Sequence, residues 1–535
     1  MLTLQQWRCG EIVLADPAAP RCVDTGIQMI CQAPSGREII REAFWDGDDT
    51  FRIRFAPTEL GEWKYTITGL ADGSREGHLT CIPYDGQLPL YQHGFLKVGP
   101  KGRYLCHADN TPFFWLGDTH WHFAIAERWD ESNDPRFDSQ FRAIVDRRVQ
   151  QKFNVYQCNF HCEATEPDKY FLRTEQGLVP NVDFLQQDLD KKISYLADQG
   201  FCIAAGFSWA FSAFAPDAMK YYKTAVRYLI ARYGAYPMIW TLAGETGGYS
   251  ASGRKGLLDF WREIAKEVER LDTYHHLQTA HYTNERPFAD YYQDEDWFDF
   301  TLNQAGHGDY PIDARHYQAH RKTHSGKPFI ESESLYEQVL TLEPNGRRRA
   351  TPAMLRRVAY LSIQSGGCGY TYGAQGMWHI QWDESDGRSP LGFGSYPPWY
   401  KGIDFPGAGQ MTIMRDFYES VGWQHLTPLP RQCFDLSANG AVVVTFSDED
   451  LVALFVPAIT ADEEMQTVVA YFSETCRYET VFRTLTQPCY KASWFDPATG
   501  SYTLLDNAIV PQDGCWTSPV KPSDGDAILL LQALE

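Results

Sequence analysis

The chain has 535 residues, of which 44% are hydrophobic and 22% charged, the balance of a folded globular protein with room for two or three domains. Its formal charge of −21 opposes phosphate backbones and anionic lipid, which argues against nucleic-acid and membrane-surface partners and for a neutral substrate. Its 13 cysteines lack paired spacing, as reduced thiols do, and Met1 to Asp16 has neither the basic start nor the apolar stretch of a secretion signal, so a cytoplasmic protein is expected.

Aromatic residues reach 14%, enough to hint at sugar stacking as well as core filling. From Met1 to about Gln87 the pattern alternates with period two. Phe51 to Phe55 and then Trp63, Tyr65 and Ile67, separated by Pro57 to Gly61, predict a β-hairpin with one buried face. Residues 1–87 are therefore expected to form a small β-sandwich that serves as a scaffold.

Between about Leu88 and Pro430 helical patterns alternate with short apolar runs, the mark of βαβ folding. Phe141, Ile144, Val145 and Val149 share one helical face ahead of the strand-like Phe153 to Tyr156. Leu185, Leu189, Ile193 and Leu196 share another, with Asp183 as the expected cap and Gly200 as the end, before Phe201 to Gly206. The run from Phe201 to Ala215, broken by Ser208 and Ser212, is too short to span a bilayer and reads as strand and loop. Tyr222, Val226, Leu229 and Tyr233 repeat the design before Met238 to Leu242. A further helix follows through Leu257, Trp261, Ile264, Val268 and Leu271, and one more is expected at Tyr317 to His324. Some 340 residues of such units fit a (β/α)8 barrel with insertions over residues 88–430. Alternation returns at Val442 to Phe446, Leu451 to Val456 and Ala527 to Leu531, so residues 431–535 are expected to form a second small all-β domain. The predicted fold is thus α/β, a (β/α)8 TIM barrel flanked by two β-domains.

Catalytic groups of such barrels stand at the carboxyl ends of the strands. Two glutamates occupy that place. Trp240-Thr241-Leu242-Ala243-Gly244 leads to Glu245, and Phe329-Ile330-Glu331-Ser332 leads to Glu333, with Glu331 sharing its face two residues earlier. Paired carboxyls, one protonated and one ionised, are what glycosidic hydrolysis with retention requires. Asp118, after the first barrel strand, is a candidate acceptor for sugar hydroxyls. Trp121, Trp209, Tyr282, Tyr372 and Trp378 are candidates to line the pocket, and Gln304 and His307 to orient hydroxyls or the nucleophile. Cys158, His161 and Cys162 cluster, but without a second ligand pair they read as packing rather than as a zinc site.

The stretches Phe113 to Thr119, Trp240 to Glu245, Lys327 to Glu337, Gly369 to Gly373 and Trp423 to Pro428 together resemble the apiosidase-like glycoside hydrolases of family 140. The resemblance extends to the flanks, through Phe44 to Asp48 and Arg54 to Trp63 in the first domain and Trp494 to Gly500 in the last. It implies retaining double-displacement chemistry with Glu245 as acid/base, at a position where relatives can carry Asp, and Glu333 as nucleophile with Glu331 as its rival. It also implies β-linked apiose as the sugar released, from plant-derived glycosides. No metal or organic cofactor is expected. The partner is a small glycoside, and the flanking β-domains offer surfaces for a homo-oligomer.

Other readings compete with this one. A retaining exo-glycosidase for another furanoside or pyranoside would keep the same residues. His120-Trp121-His122 is similar to the paired histidines of metal-dependent amidohydrolase barrels, which would enlist Glu245, His281, His307 and Asp383. A non-catalytic sugar-binding barrel would lack one carboxylate, and both are present here.

Overall fold

The computed structural model describes residues 2–164, 169–175, 177–247, 254–282, 291–308, 327–341, 347–384, 393–438, 441–444 and 456–534. The helix expected at Tyr317 to His324 and most of the strand expected at Leu451 to Val456 lie outside the described residues. The chain forms two compact units. The first is made of Met1–Pro100, Leu105–Phe113 and Asp118–Leu302, and the second of Lys101–Tyr104, Phe114–Gly117 and Asn303–Glu535. The chain therefore changes units inside two strands, Trp115–His120 and Thr301–Gln304.

In the first unit the amino-terminal residues build a five-stranded and a three-stranded sheet over one apolar core that includes Met29, Ile39, Phe51, Ile53, Trp63 and Leu79. Thr50–Phe55 and Gly61–Thr68 do not pair as the predicted hairpin. The former pairs with Gly10–Ala15 and Phe44–Trp45, the latter with Gln28–Gln32 and Arg75–Ile82. Both strands have an apolar face to bury, and the Pro57 to Gly61 connection carries the chain from one sheet to the other. Phe55 and Trp63 then meet across the core with ring centroids 5.2 Å apart.

Next in this unit comes a parallel arc. Met238–Trp240, Cys202–Gly206, Val155–Asn159 and Trp115–His120 lie side by side in that order. Beyond Trp240 the arc continues through single parallel bridges from Trp240 to Gln278 and from His281 to Leu302. Every residue of Val155–Asn159 and Cys202–Gly206 is buried, as expected of parallel strands covered on both faces. The intervening helices match the periodicities closely. Gln140–Gln150 is capped by Ser139, whose side chain accepts from the Arg142 N–H. In the next helix Asn181, not Asp183, is the cap, because the helix begins two residues earlier than its apolar pattern suggests, at Val182. Gly200 ends that helical region at φ +88°, a left-handed conformation that suits glycine. A buried ion network anchors the amino-terminal sheets to the arc, with Asp190 taking Arg54 at 2.9 Å and Arg232 at 2.6 Å. Burial raises the Asp190 carboxyl, but the two guanidiniums outweigh it and hold it well below the usual range.

The second unit carries a parallel run of its own. Thr301–Gln304, Phe329–Glu333, Gly369–Tyr372 and the start of Trp115–His120 follow one another in that order. The helix Pro352–Gln364 is capped by Thr351, which accepts from the Met354 N–H. Its Arg356 grips Asp526, the residue before the last strand Ala527–Ala533, with two hydrogen bonds, of 3.0 and 2.6 Å. The carboxyl-terminal residues form a six-stranded and a four-stranded sheet around a second core, which includes Leu436, Val468, Phe472, Tyr490 and Leu529. Among the described residues no helix is long and apolar enough to cross a membrane.

Candidate active site

In the first unit the sequence around Glu245 folds under local strain. After Trp240 the chain kinks at Leu242 (φ +54°), pairs Ala243–Gly244 in parallel with Ser208–Trp209, and turns again at Glu245 (φ +55°). Left-handed conformations cost a non-glycine residue free energy and persist only where surrounding contacts impose them. Those contacts are visible. The Glu245 N–H donates to His281 Nδ1 (3.3 Å), and the Thr246 N–H and hydroxyl both donate to the His281 carbonyl, at 2.8 and 3.0 Å. Gly244 permits the approach of Trp209, since a Cβ there would lie 2.5 Å from the indole ring. Glu245 itself is half-buried while its neighbours from Thr241 to Gly244 are buried.

Trp121 and Trp209, two of the pocket candidates, lie beside each other. Trp121 packs edge-on to Trp209 (5.6 Å) and to His281 (4.9 Å), and the Trp209 indole N–H donates to His161 Nε2 at 3.3 Å. Tyr282 is buried, with its ring 6.0 Å from Tyr292 and 6.2 Å from Phe298. Sequence reasoning placed His281 only in the metal-dependent alternative. Leu277-Gln278-Thr279-Ala280 mixes polar and apolar residues and gives no apolar run to mark a strand end, and only the bridge from His281 to Leu302 places that histidine on the arc.

Asp118 is a different matter. It is 0% exposed, and its Oδ2 accepts from His120 Nε2 (2.8 Å) and Arg148 Nε (2.5 Å). His120 Nδ1 lies 2.7 Å from Glu127, its ring stacks on Tyr156 at 4.4 Å, and the Tyr156 hydroxyl donates to the other Glu127 oxygen. Burial opposes charge on both groups. The Arg148 and His120 charges nevertheless hold the Asp118 carboxyl below its usual value, and Glu127 and Asp118 lift the imidazole to about 9. Asp118 is thus a member of a buried charge chain rather than an open acceptor for sugar hydroxyls. With both ring nitrogens facing carboxylates, His120 is also not disposed as a metal ligand. Among the described residues no three His, Cys, Asp or Glu side chains gather in a metal-binding cluster. Cys162 meets the Tyr221 hydroxyl at 3.4 Å, and burial pushes the Cys158 thiol far up, so neither is a ready thiolate.

In the second unit the strand Phe329–Glu333 carries both rival glutamates on one face, and their surroundings differ. Glu331 is completely buried. One of its oxygens accepts from the Ala305 N–H at 3.0 Å and the other from the Asn303 side-chain amide. Glu333, one pleat further on, pairs through Oε1 with His307 Nε2 at 3.0 Å, while its backbone carbonyl accepts from the Gly306 N–H. The His307 ring is held by Tyr336 (4.6 Å) and Phe393 (5.0 Å), and Trp378 joins the same aromatic cluster beside Tyr336 at 6.2 Å. Gln304 is buried at the end of its strand. Tyr372 departs from expectation. It is fully buried, and its hydroxyl donates to Glu337 (2.7 Å), which also accepts from the Gly407 N–H (2.9 Å), so it braces the loop beyond Glu333 instead of facing a ligand.

Residues 99–425 match the apiosidase-like catalytic-domain family, and residues 3–69 match a domain of unknown function, DUF5060. The chain belongs to the apiosidase-like family and is a glycoside hydrolase. Solved structures show the same fold at low sequence identity. A protein named simply glycoside hydrolase aligns with TM-score 0.66 at 19% identity, covering 84% of this chain and 99% of its own. A family 5 glycoside hydrolase from Bacteroides vulgatus ATCC 8482 aligns with TM-score 0.66 at 20% identity, over 84% and 95%. A third protein, from the same bacterium and described as a candidate glycoside hydrolase, aligns with TM-score 0.71 at 17% identity over 100% of both chains. No functionally curated protein matches the sequence.

Proposed function

We propose that this glycoside hydrolase works with retention, with Glu333 as nucleophile and Glu245 as general acid/base, and that it releases terminal β-linked apiose from small plant-derived glycosides. The observation that carries the reading is the contrast on the strand Phe329–Glu333. Glu331 has both oxygens committed to neighbouring amides, whereas Glu333 stands at the strand end with a histidine on one oxygen. A nucleophile needs an ionised carboxylate held in a fixed orientation, and the buried His307 contact supports that part for Glu333. In the first step the Glu333 carboxylate bonds to the anomeric carbon, the glycosidic bond breaks, and Glu245 gives its proton to the departing oxygen. In the second step Glu245 takes a proton from water, which attacks the same carbon and frees Glu333. The strained turn at Glu245, tied to His281, supports its part as acid/base.

The parallel arcs and the family together support a (β/α)8 barrel over residues 88–430, with β-domains at 1–87 and 431–535. The separate apolar cores near the two ends of the chain favour that division. The test uses wild type, Glu245→Gln, Glu333→Gln and Glu331→Gln against a panel of plant glycosides that includes an apiosyl flavonoid, with the released sugar identified by chromatography. Apiose release that collapses in the first two variants and survives in the third is the expected outcome. Release of a different sugar would replace the specificity, and full activity in Glu333→Gln would overturn the nucleophile.

A further inference from the structure

The second unit contains a cavity of about 320 Å³ that the proposed chemistry does not use. Phe329 lines it at the first residue of the strand whose last residue is Glu333. Four residues at a rise of ~3.3 Å separate the two, so the cavity opens roughly 13 Å from the candidate nucleophile, at the amino end of the strand. Barrel chemistry belongs at the other end.

Three features of the lining point to a ligand. Lys101 and Arg103 are exposed at the cavity and form no ion pair or hydrogen bond among the described residues, in a chain whose net charge is −21. Lys327 adds a third cation to the lining. Tyr418 and Thr460, 0% and 2% exposed, also line the cavity, and their buried hydroxyls find no hydrogen-bond partner among the described residues. Buried hydroxyls are nearly always partnered, so two at one cavity mark where polar atoms of a guest belong. The Trp423 indole, fixed edge-on against Phe114 (5.2 Å) and Tyr104 (5.7 Å), supplies an aromatic wall. The volume lies near the lower bound of small-molecule sites, about 300 Å³.

We propose that this cavity binds a small anionic sugar of monosaccharide size, carboxylated or phosphorylated, independently of hydrolysis. The anionic group meets Lys101 and Arg103, the ring hydroxyls meet Tyr418 and Thr460, and the apolar ring face lies against Trp423.

Titration calorimetry on the full chain with glucuronic acid, glucose 6-phosphate and glucose tests it. Saturable binding of at least one acid, about tenfold or more tighter than glucose, is expected, and which acid binds tells a carboxylate ligand from a phosphate one. Arg103→Ala, an exposed change that leaves the core intact, is expected to weaken that binding about tenfold, and Thr460→Val by several-fold, while Glu333→Gln binds as wild type. The proposal is overturned if neither acid saturates, if glucose binds equally well, if Arg103→Ala and Thr460→Val bind like wild type, or if Glu333→Gln abolishes binding.

Discussion

Two parallel strands of this protein end in ionisable residues, and the contrast between them separates scaffolding from chemistry. In Trp115–His120, Asp118 and His120 are sealed in a chain of alternating charges from Arg148 to Glu127. In Phe329–Glu333 the inner carboxylate is similarly sealed, but the outer one pairs through Oε1 with His307 and lies at the strand end. Glu331 has both oxygens taken by protein amides and Asp118 has one oxygen taken by two cations, and a buried carboxylate so engaged fixes geometry and has less left to offer a substrate. The largest expected effect follows. Glu333→Gln should lower kcat by at least about 10⁴-fold, since it removes the nucleophile outright. Glu331→Gln should lower it less than about tenfold and cost roughly 1–3 kcal/mol of stability through its amide contacts. Kinetics and urea unfolding on the same preparations would show whether the two residues divide in this way, and equal kinetic losses would erase the distinction.

The first strand gives the next test. Asp118→Asn removes one member of a buried ionic chain, a kind of change that costs about 3–5 kcal/mol. The expected signature is a lower urea midpoint with KM changed less than about twofold. A raised KM at unchanged stability would instead restore Asp118 as a sugar contact. pH probes the same chain from another side. The folded state raises the His120 imidazole from 6.5 to about 9, so folding favours its protonated form. That stabilisation is complete below about pH 6.5 and is lost as pH rises through about 9, at a cost of up to about 3 kcal/mol. Denaturant unfolding followed from pH 6.5 to 9.5 should show this decline in wild type and a shallower one in His120→Gln.

How much of this could be read beforehand depended on whether the cause was local. Helix periodicity and the strand-end rule are local properties, and they placed Glu245 and Glu333 at strand ends and anticipated most of the βαβ units. The outcome of Phe51 to Ile67 was not local. Alternation showed that each strand buries one face, but whether the partner was the next strand or the opposite sheet depended on where the other strands lay. The same holds for Asp118. Its position after an apolar run marked it for function, and only the approach of Arg148, 30 residues later, shows that one carboxyl oxygen is already taken. Tyr372 repeats the lesson, since its hydroxyl partner Glu337 lies 35 residues away in sequence.

The smallest expected effect sits beside Trp209. The short helix Ala210–Phe214 is held from behind, with the Trp261 indole N–H donating to the Ala210 carbonyl (3.3 Å) and Ser212 buried against the Tyr222 hydroxyl (2.7 Å). Between and beyond these anchors Phe211 and Phe214 remain 57% and 67% exposed. Exposed aromatic rings on a fixed turn that follows a parallel strand gain nothing for the core and present flat faces to solvent. Trp209, which precedes this helix, pairs with Gly244, the residue before Glu245, so the helix leaves the strand beside the one that leads to the proposed acid/base. An aryl leaving group stacked there would gain about 0.5–1.5 kcal/mol per ring. Phe214→Ser should therefore raise KM for a flavonoid glycoside about two- to tenfold, with kcat and the urea midpoint unchanged, and leave an alkyl glycoside of the same sugar unaffected. Equal changes for both glycosides would mean that the ring does not distinguish aglycones.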